Sequence, residues 1–256
     1  MKIWKYTIIG ERCSGTTYLE NLMDINFEVD LTWKFGRKHF FGFHDDLLKD
    51  SDNTLFICIV RDICTWMNSL FRDKHHLPIK YIPGQDTNQQ IDQFLNREWW
   101  SIHDDKHDKS YKEIKEDRNI YTGKRYKNIF ELRYTKLKYM VEDLPKKTKN
   151  IIFIKYENLI DNFEETMKKI QSKNLNIRKN INFPVNTSQY KHRKNKYYTE
   201  VKKGKIDHIP NDLILNNPNF TKEHKDYEKK FYIYNYGEGV GNDCDNVPLT
   251  PLNSQL

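Results

Sequence analysis

A glycine-bounded turn near the start of the chain is the first place where the residue types and their spacing could do chemistry. The segment Gly10–Thr17 reads Gly-Glu-Arg-Cys-Ser-Gly-Thr-Thr. It lies between a predicted strand, Tyr6–Gly10, and a helix predicted from Thr16, where backbone N–H groups and the helix dipole favour an anion. Its Gly-x4-Gly spacing fits a phosphate-binding loop, but Thr16 stands where a triphosphatase needs Lys. The turn therefore suits a nucleotide with a short 5′ anion better than ATP, with a simple tight turn as the alternative.

Alternating strands and helices must position this turn. The predicted strands are Tyr6–Gly10, Asn53–Val60 and Asn150–Lys155, and the predicted helices begin at Thr16 and Ile63 and span Gln89–Trp100, Ile129–Glu142, Phe163–Ile170 and Thr221–Phe231. The near-continuous apolar run of the second strand is typical of a parallel strand covered on both faces. The alternation predicts an α/β domain with a parallel sheet.

Length and composition indicate one main domain. We expect a single domain over residues 1–236, with a polar, lid-like insertion at about 75–126 and a disordered tail over 237–256. Lys plus Arg number 43 against 36 for Asp plus Glu, a net charge of +7 that favours an anionic partner. Charge alone does not choose between a nucleotide, a nucleic acid and a polyanionic substrate.

Other classes of protein are disfavoured by what the sequence lacks. The longest apolar run, Leu55–Val60, is far shorter than the roughly 20 residues that a membrane helix needs. The first strand begins so early that it leaves no room for a signal peptide, which predicts a cytoplasmic protein. The 4 cysteines include no C-x-x-C pair, so we expect reduced thiols and no zinc site.

The turn resembles a known nucleotide-binding motif. Cys13–Leu19 reads Cys-Ser-Gly-Thr-Thr-Tyr-Leu, similar to the 5′-phosphosulfate loop of sulfotransferases that use 3′-phosphoadenosine 5′-phosphosulfate (PAPS). That loop is usually Lys-Ser-Gly-Thr-Thr-Trp-Leu, or a variant with Arg just ahead of Ser-Gly; here Cys13 takes the usual Lys position and Arg12 precedes it. The resemblance implies nucleotide contacts from Arg12, Cys13, Ser14, Gly15, Thr16 and Thr17.

The same resemblance implies a fold and an activity. The expected fold is a three-layer P-loop-type architecture, with a central parallel sheet flanked by helices. The expected reaction moves a sulfuryl group from PAPS to a hydroxyl or amine of a small-molecule or carbohydrate acceptor, and leaves adenosine 3′,5′-diphosphate (PAP). This family's reaction requires no metal.

A second segment resembles the family's 3′-phosphate site, which uses an Arg at a strand end and a Ser eight residues later. Arg61 ends the apolar run here and Ser69 follows at that spacing. From Ile63 to Ser69 a helix rises about 9 Å, so the two side chains could converge on one phosphate. The alternative for Arg61 is a surface ion pair with Asp62 or Asp73.

Two shorter segments complete the resemblance. Ile154–Leu159 reads Ile-Lys-Tyr-Glu-Asn-Leu, and its similarity to the family's strand end makes Tyr156 an adenine contact, or otherwise a core aromatic. Lys203 and Gly204 lie in a Lys-Lys-Gly segment similar to the Arg-Lys-Gly that closes over the 3′-phosphate. The alternative for that segment is a solvated basic loop.

The chemistry of sulfuryl transfer needs a base and a positive charge at the leaving group. Sulfotransferases often carry Lys-x-His or Trp-Lys-His after the second strand, and Trp33–His39 offers Lys38 and His39. We expect His39 to be the base, since its ordinary pKa lies near neutrality, and Lys38 or Arg12 to stabilise the leaving group. His44 is the rival base.

Other sequence patterns are compatible with further functions, but their signals are weaker. His103 and His107 are four residues apart and could bind a metal, although their polar surroundings favour a solvated loop. Arg133 and Lys136 could touch an anionic substrate or simply occupy an exposed helix face. The basic run Lys191–Tyr198 could grip RNA, but nucleic acid is an improbable partner without a further RNA-binding signature.

Two other classes of function therefore stay open beside the sulfotransferase. A phosphotransferase or nucleotide kinase would use the same fold with ATP and Mg²⁺, against which the missing loop lysine speaks. A non-catalytic protein would bind a nucleotide or a nucleic acid without turnover, a possibility that Cys13 in the lysine position keeps open.

Overall fold

A four-stranded parallel sheet organises the chain. The computed structural model describes residues 2–73, 76–78, 86–103, 110–186 and 208–236, the side chains of the last helix being described only to residue 231. The strands are β1 (Lys5–Ile9), β2 (Asp30–Leu31), β3 (Thr54–Val60) and β4 (Ile151–Lys155), in the order β2-β1-β3-β4. All pairs are parallel. The α/β class and the parallel sheet expected from the sequence are thus confirmed.

The described residues contain all six predicted helices, but the helix predicted over Gln89–Trp100 ends at Asn96 because Arg97 is extended. The helices are α1 (Thr16–Asn26), α2 (Ile63–Arg72), α3 (Thr87–Asn96), α4 (Ile129–Lys138), α5 (Leu144–Lys147), α6 (Tyr156–Asp161), α7 (Phe163–Gln171), α8 (Asn211–Leu215) and α9 (Lys222–Tyr236). Of these, α5, α6 and α8 were not predicted. A π-helical turn, Tyr139–Asp143, continues α4. Among these elements none has both the length and the apolar composition needed to cross a bilayer.

Helices cover both faces of the sheet. Every residue of β3 is buried, and its side chains alternate between two apolar clusters. Leu55, Ile57 and Ile59 pack with residues of α1 and α7, whereas Phe56, Cys58 and Val60 pack with residues of α4 and α9. This two-sided burial explains the uninterrupted apolar run of that strand.

The described residues of the predicted lid-like insertion contribute to the hydrophobic core. Phe94 of α3, Trp99 and Tyr126 are all buried in one cluster with Trp66 of α2. Trp99 and Tyr126 also exchange backbone hydrogen bonds of 2.7 and 3.1 Å. This portion of residues 75–126 is therefore packed onto the sheet domain. The tail expected over 237–256 lies outside the described residues.

A charge cluster in this segment makes a stability prediction. Glu113 accepts from Arg125 at 2.7 Å and from Arg118 at 2.9 Å, and these hydrogen bonds lower its pKa from 4.5 to about 2. A carboxyl whose pKa is depressed by folding stabilises the protein above its unfolded pKa and loses that effect as the pH falls. Glu113→Gln should lower the free energy of unfolding by about 2 kcal/mol at neutral pH.

Denaturant unfolding at several pH values measures this effect. The difference from the unmutated protein should shrink as the pH falls from 4.5 towards 2. Glu28→Gln, at an exposed position, is the matched control and should change little. Equal losses in both variants, or a difference independent of pH, would contradict the assignment.

Candidate functional site

The glycine turn lies where the strand order reverses. The chain leaves β1 through α1 towards β2 on one side, while β3 pairs with the other side of β1. The loops that follow β1 and β3 therefore meet at the carboxyl edge of the sheet. Ligands of open parallel sheets bind at such a point. The fold thus brings the glycine turn and Arg61 to the same edge.

Gly15 shapes the beginning of α1. It is the N-cap residue with φ 88°, and a Cβ there would lie 2.2 Å from Cδ2 of Tyr156. Both the backbone conformation and the space therefore require glycine. Because glycine has no side chain to accept from the first-turn amides, the N–H groups of the first turn are open to an anionic ligand.

A cavity of about 240 Å³ opens at this turn. Its lining includes Arg12, Cys13, Gly15, Thr16, Thr17, His39, Leu70 and Asp73. Residues from the turn, from the segment after β2 and from the end of α2 thus share one space. Donors predominate at the helix end of the cavity, while Asp73 brings a carboxylate to its wall.

His39 is held in one tautomer. Its Nδ1 lies 2.8 Å from the carbonyl oxygen of Gly10, and because a carbonyl only accepts, the proton of the neutral ring must reside on Nδ1. Burial lowers the pKa of His39 well below its ordinary 6.5, and the charges of Lys38 and Arg12 lower it further, against the effect of the Gly10 hydrogen bond. The ring is therefore neutral near pH 7, with an unprotonated Nε2.

Lys38 carries a positive charge to the start of α1. Its carbonyl accepts from the Gly10 N–H at 2.9 Å. Its Nζ donates to Thr17 Oγ1 at 3.0 Å and to Glu20 Oε2 at 3.1 Å. An ammonium group thus lies beside the first turn of the helix, although the loop itself carries no lysine.

Arg12 reaches under the cavity into a buried charge cluster. It donates to Ser101 Oγ at 2.6 Å and pairs with Asp117 at 3.0 Å. Lys136 also pairs with Asp117, at 2.6 Å, and donates to the carbonyl of His39 at 2.9 Å. Burial would raise the pKa of Asp117, but the charges of Lys136 and Arg12 hold it below its ordinary value. Two cations facing one carboxylate leave this cluster with a net positive charge.

A second buried cluster of charged residues connects the loops at the carboxyl edge of the sheet. Arg133 pairs with Glu228 at 2.7 Å and with Glu11 at 2.8 Å, and it donates to the carbonyl of Arg61 at 2.7 Å. Burial raises the pKa of Glu11, although the charge of Arg133 opposes the shift. The alternative that Arg133 and Lys136 simply occupy an exposed helix face is wrong, since both side chains are almost fully buried in ion pairs.

Arg61 and Ser69 both lie beside Cys13. The Arg61 guanidinium donates to the Cys13 carbonyl at 3.3 Å and to Thr65 Oγ1 at 3.2 Å, and Ser69 is close enough to the Cys13 thiol to lower its pKa slightly against the effect of burial. Asp62, a predicted alternative partner of Arg61, instead caps α2 by accepting from the Thr65 N–H at 3.0 Å. Arg61 and Ser69 therefore lie at the mouth of the glycine turn.

Cys13 cannot replace the charge of a lysine. Burial, with the nearby carboxylate of Asp73, raises the pKa of the thiol to about 11, so it stays neutral at physiological pH. The residue adopts φ 62°, a left-handed conformation that bends the loop. Cys13 therefore shapes the backbone of the turn and lines the cavity with an uncharged side chain.

Tyr156 packs on the loop. Its ring lies against Gly15, and the guanidinium carbon of Arg61 is 4.7 Å from the ring centroid, a cation–π arrangement. The next residue, Glu157, accepts from the Asp62 N–H at 3.0 Å. The carboxyl end of β4 is thereby fixed against the start of α2.

The remaining candidate residues fall into different positions. Ser14 is fully buried and donates to the Glu11 carbonyl at 2.6 Å, so in this conformation its proton is not offered to an anion. His44 is exposed and lines a different cavity. Lys203 and Gly204, and the basic run Lys191–Tyr198, lie outside the described residues.

No metal centre is found in the part of the chain that the structure describes. Those residues include no group of three or more His, Cys, Asp or Glu side chains placed to hold an ion. His103 belongs to this part of the chain, whereas His107 lies outside it.

The site thus unites a turn with open amides, a neutral histidine and two nearby cationic side chains. The open amides and the two cations favour an anionic ligand, whereas the neutral histidine can accept a proton. The chain matches no protein-family model, no curated protein and no solved structure.

Proposed function

We propose that this protein is a PAPS-dependent sulfotransferase with a P-loop-type fold. One observation carries the proposal: three residues expected at the nucleotide, from two further segments of the chain, lie beside the glycine turn. Arg61 donates to the Cys13 carbonyl, Ser69 is close enough to influence the Cys13 thiol, and Tyr156 packs on Gly15. A chance set of surface residues has no reason to converge on one loop.

The site residues fit the phosphosulfate end of the donor. The amides of the first turn of α1 and the hydroxyls of Thr16 and Thr17 supply donors to the 5′ anion, and Lys38 supplies a positive charge. The cavity of about 240 Å³ is small for a ligand site, so it suits this end of the nucleotide and not the whole of it. Arg61 and Ser69 would hold the 3′-phosphate beside the turn.

The proposed reaction uses His39 as its general base. The acceptor oxygen attacks sulfur, its proton passes to His39 Nε2, and the bond between sulfur and the bridging phosphate oxygen breaks. The bonding pair leaves with PAP, whose developing charge is offset by Lys38 and the Arg12 cluster. The Gly10 carbonyl stabilises the imidazolium that forms by accepting from Nδ1, as the partner of a catalytic histidine does.

The lowered pKa of His39 predicts the pH dependence of turnover. A general base acts only when unprotonated, so activity should fall as the pH drops through the pKa of this group. We expect the acid limb of kcat/KM, which reports the free enzyme, to lie well below 6.5. A steady-state profile between about pH 4 and pH 9 measures it, and an acid limb at or above 6.5 would contradict this assignment.

Thermal denaturation with three ligands tests the proposal against its rivals, since a ligand that binds the native state raises the melting temperature. We expect stabilisation by PAP in the presence of a chelator. Stabilisation by ATP with Mg²⁺ alone would favour a phosphotransferase, and stabilisation by RNA alone a nucleic-acid binder. Either of these results without an effect of PAP would overturn the proposal.

A further inference from the structure

A second cavity adjoins the first across the turn that carries His39. Its volume is about 270 Å³, and its lining includes Arg37, Phe40 and His44 on one wall. The opposite wall includes His76, His103, Ile114 and Glu116. Arg37 and Phe40 flank Lys38 and His39 in sequence, and a backbone hydrogen bond of 2.9 Å closes the turn between them. This short turn therefore lines both cavities, with His39 in the first and Arg37 and Phe40 in the second.

Both walls of this cavity are anchored to the glycine turn. The wall with Arg37 is fixed by the hydrogen bonds between Gly10 and the backbone of Lys38 and the ring of His39. The other wall is fixed where Arg12 holds Ser101 and Asp117, next to His103 and Glu116. Lys136 joins the walls by contacting both Asp117 and the His39 carbonyl. A ligand here is thus placed at a fixed position relative to the proposed base.

The lining indicates what kind of ligand fits. Three imidazoles, a guanidinium and a carboxylate offer donors and acceptors in one small space. An acceptor with a mainly apolar ring, such as a phenol, would remove the exposed Arg37, His44 and Glu116 from water with few hydrogen bonds in return, which is costly. Phe40 and Ile114 supply limited apolar surface, which suits the C–H face of a sugar ring.

We propose that this cavity is the acceptor site and that it binds a single sugar ring through its hydroxyl groups. Naming it the acceptor site rests on the proposed function. The volume is at the lower end of the range for small-molecule sites, which limits the buried part of the acceptor to about one ring. Glu116, Arg37 and His44 bond the hydroxyls, Phe40 packs on the ring, and one hydroxyl faces the turn that carries His39.

Saturation-transfer NMR tests this proposal without any turnover. The probe is a mixture of the methyl glycosides of glucose, galactose, mannose and N-acetylglucosamine, with 4-nitrophenol measured separately. At least one glycoside should receive saturation, and its affinity should fall about fivefold or more in Phe40→Ala and in Glu116→Gln. Asp92→Asn, in a separate surface cleft, is the control and should leave binding unchanged.

The outcomes separate this inference from the proposed function. Absence of glycoside binding, equal loss in the control, or binding of 4-nitrophenol alone that is lost in Phe40→Ala would overturn the sugar assignment. PAP affinity is measured on the same samples and should be unchanged in Phe40→Ala and Glu116→Gln. If PAP binds and no glycoside does, the sugar assignment fails alone; if a glycoside binds and PAP does not, the sulfotransferase assignment fails and the cavity remains a sugar site.

Discussion

Replacing His39 should lower kcat for sulfuryl transfer by about 10²–10⁴-fold, the usual contribution of a general base, while leaving PAP affinity within about threefold. The reason is that His39 Nε2 accepts the acceptor's proton in the transition state but is not assigned a contact with the nucleotide. His39→Asn is the sharper variant beside His39→Ala. Its side-chain amide can still donate to the Gly10 carbonyl, as Nδ1 does, but it offers no base.

Single-turnover kinetics and PAP titration on both variants check this prediction. Equal loss of rate in His39→Ala and His39→Asn is expected of a catalytic base. Recovery of activity in His39→Asn would show that only the hydrogen bond to Gly10 matters. Retained activity in both, with loss in His44→Ala, would move the base to the rival histidine.

Arg61→Ala should weaken PAP binding by about 10–100-fold, since a hydrogen bond to a charged group contributes about 1.5–3 kcal/mol. Arg61 also stacks on Tyr156 and contacts Cys13, so a loss of affinity alone would not separate phosphate binding from support of the loop. Adenosine 5′-phosphate, which lacks the 3′-phosphate, distinguishes phosphate binding from support of the loop. Its affinity should be nearly unchanged in the variant.

Isothermal titration of both nucleotides measures this difference. Arg178→Ala is the matched control because it removes the same charge from an exposed arginine paired with Asp24, and it should affect neither ligand. A loss that is equal for PAP and adenosine 5′-phosphate would make Arg61 a structural residue of the loop. Unchanged PAP affinity would remove the 3′-phosphate assignment.

The regular elements of this fold were accessible from the sequence because their signals are local. The apolar run of β3 has the pattern of a strand buried on both faces, and the helix after it repeats apolar residues at helical spacing. The glycine turn was identifiable for the same reason, since its residues are adjacent in the chain. Its left-handed Cys13, by contrast, has no signature in residue type.

The buried charges under the site could not be predicted from local sequence patterns. Asp117 pairs with Arg12 and Lys136, and Glu228 pairs with Arg133, across long separations in sequence. A charged residue on a helix ordinarily predicts an exposed face, so the sequence offered exposure as an alternative for Arg133 and Lys136 and gave no sign of their burial. Only the tertiary arrangement brings the carboxylates of Asp117 and Glu228 to them. The signal that could have helped is the large number of apolar neighbours on the same helix.

A crystal structure of the protein with PAP would test the shared nucleotide site. We expect the 5′-phosphate at the first-turn amides of α1 and the 3′-phosphate within about 3 Å of the Arg61 guanidinium and the Ser69 hydroxyl. PAP bound elsewhere, or bound at the turn with its 3′-phosphate directed away from Arg61 and Ser69, would contradict this expectation.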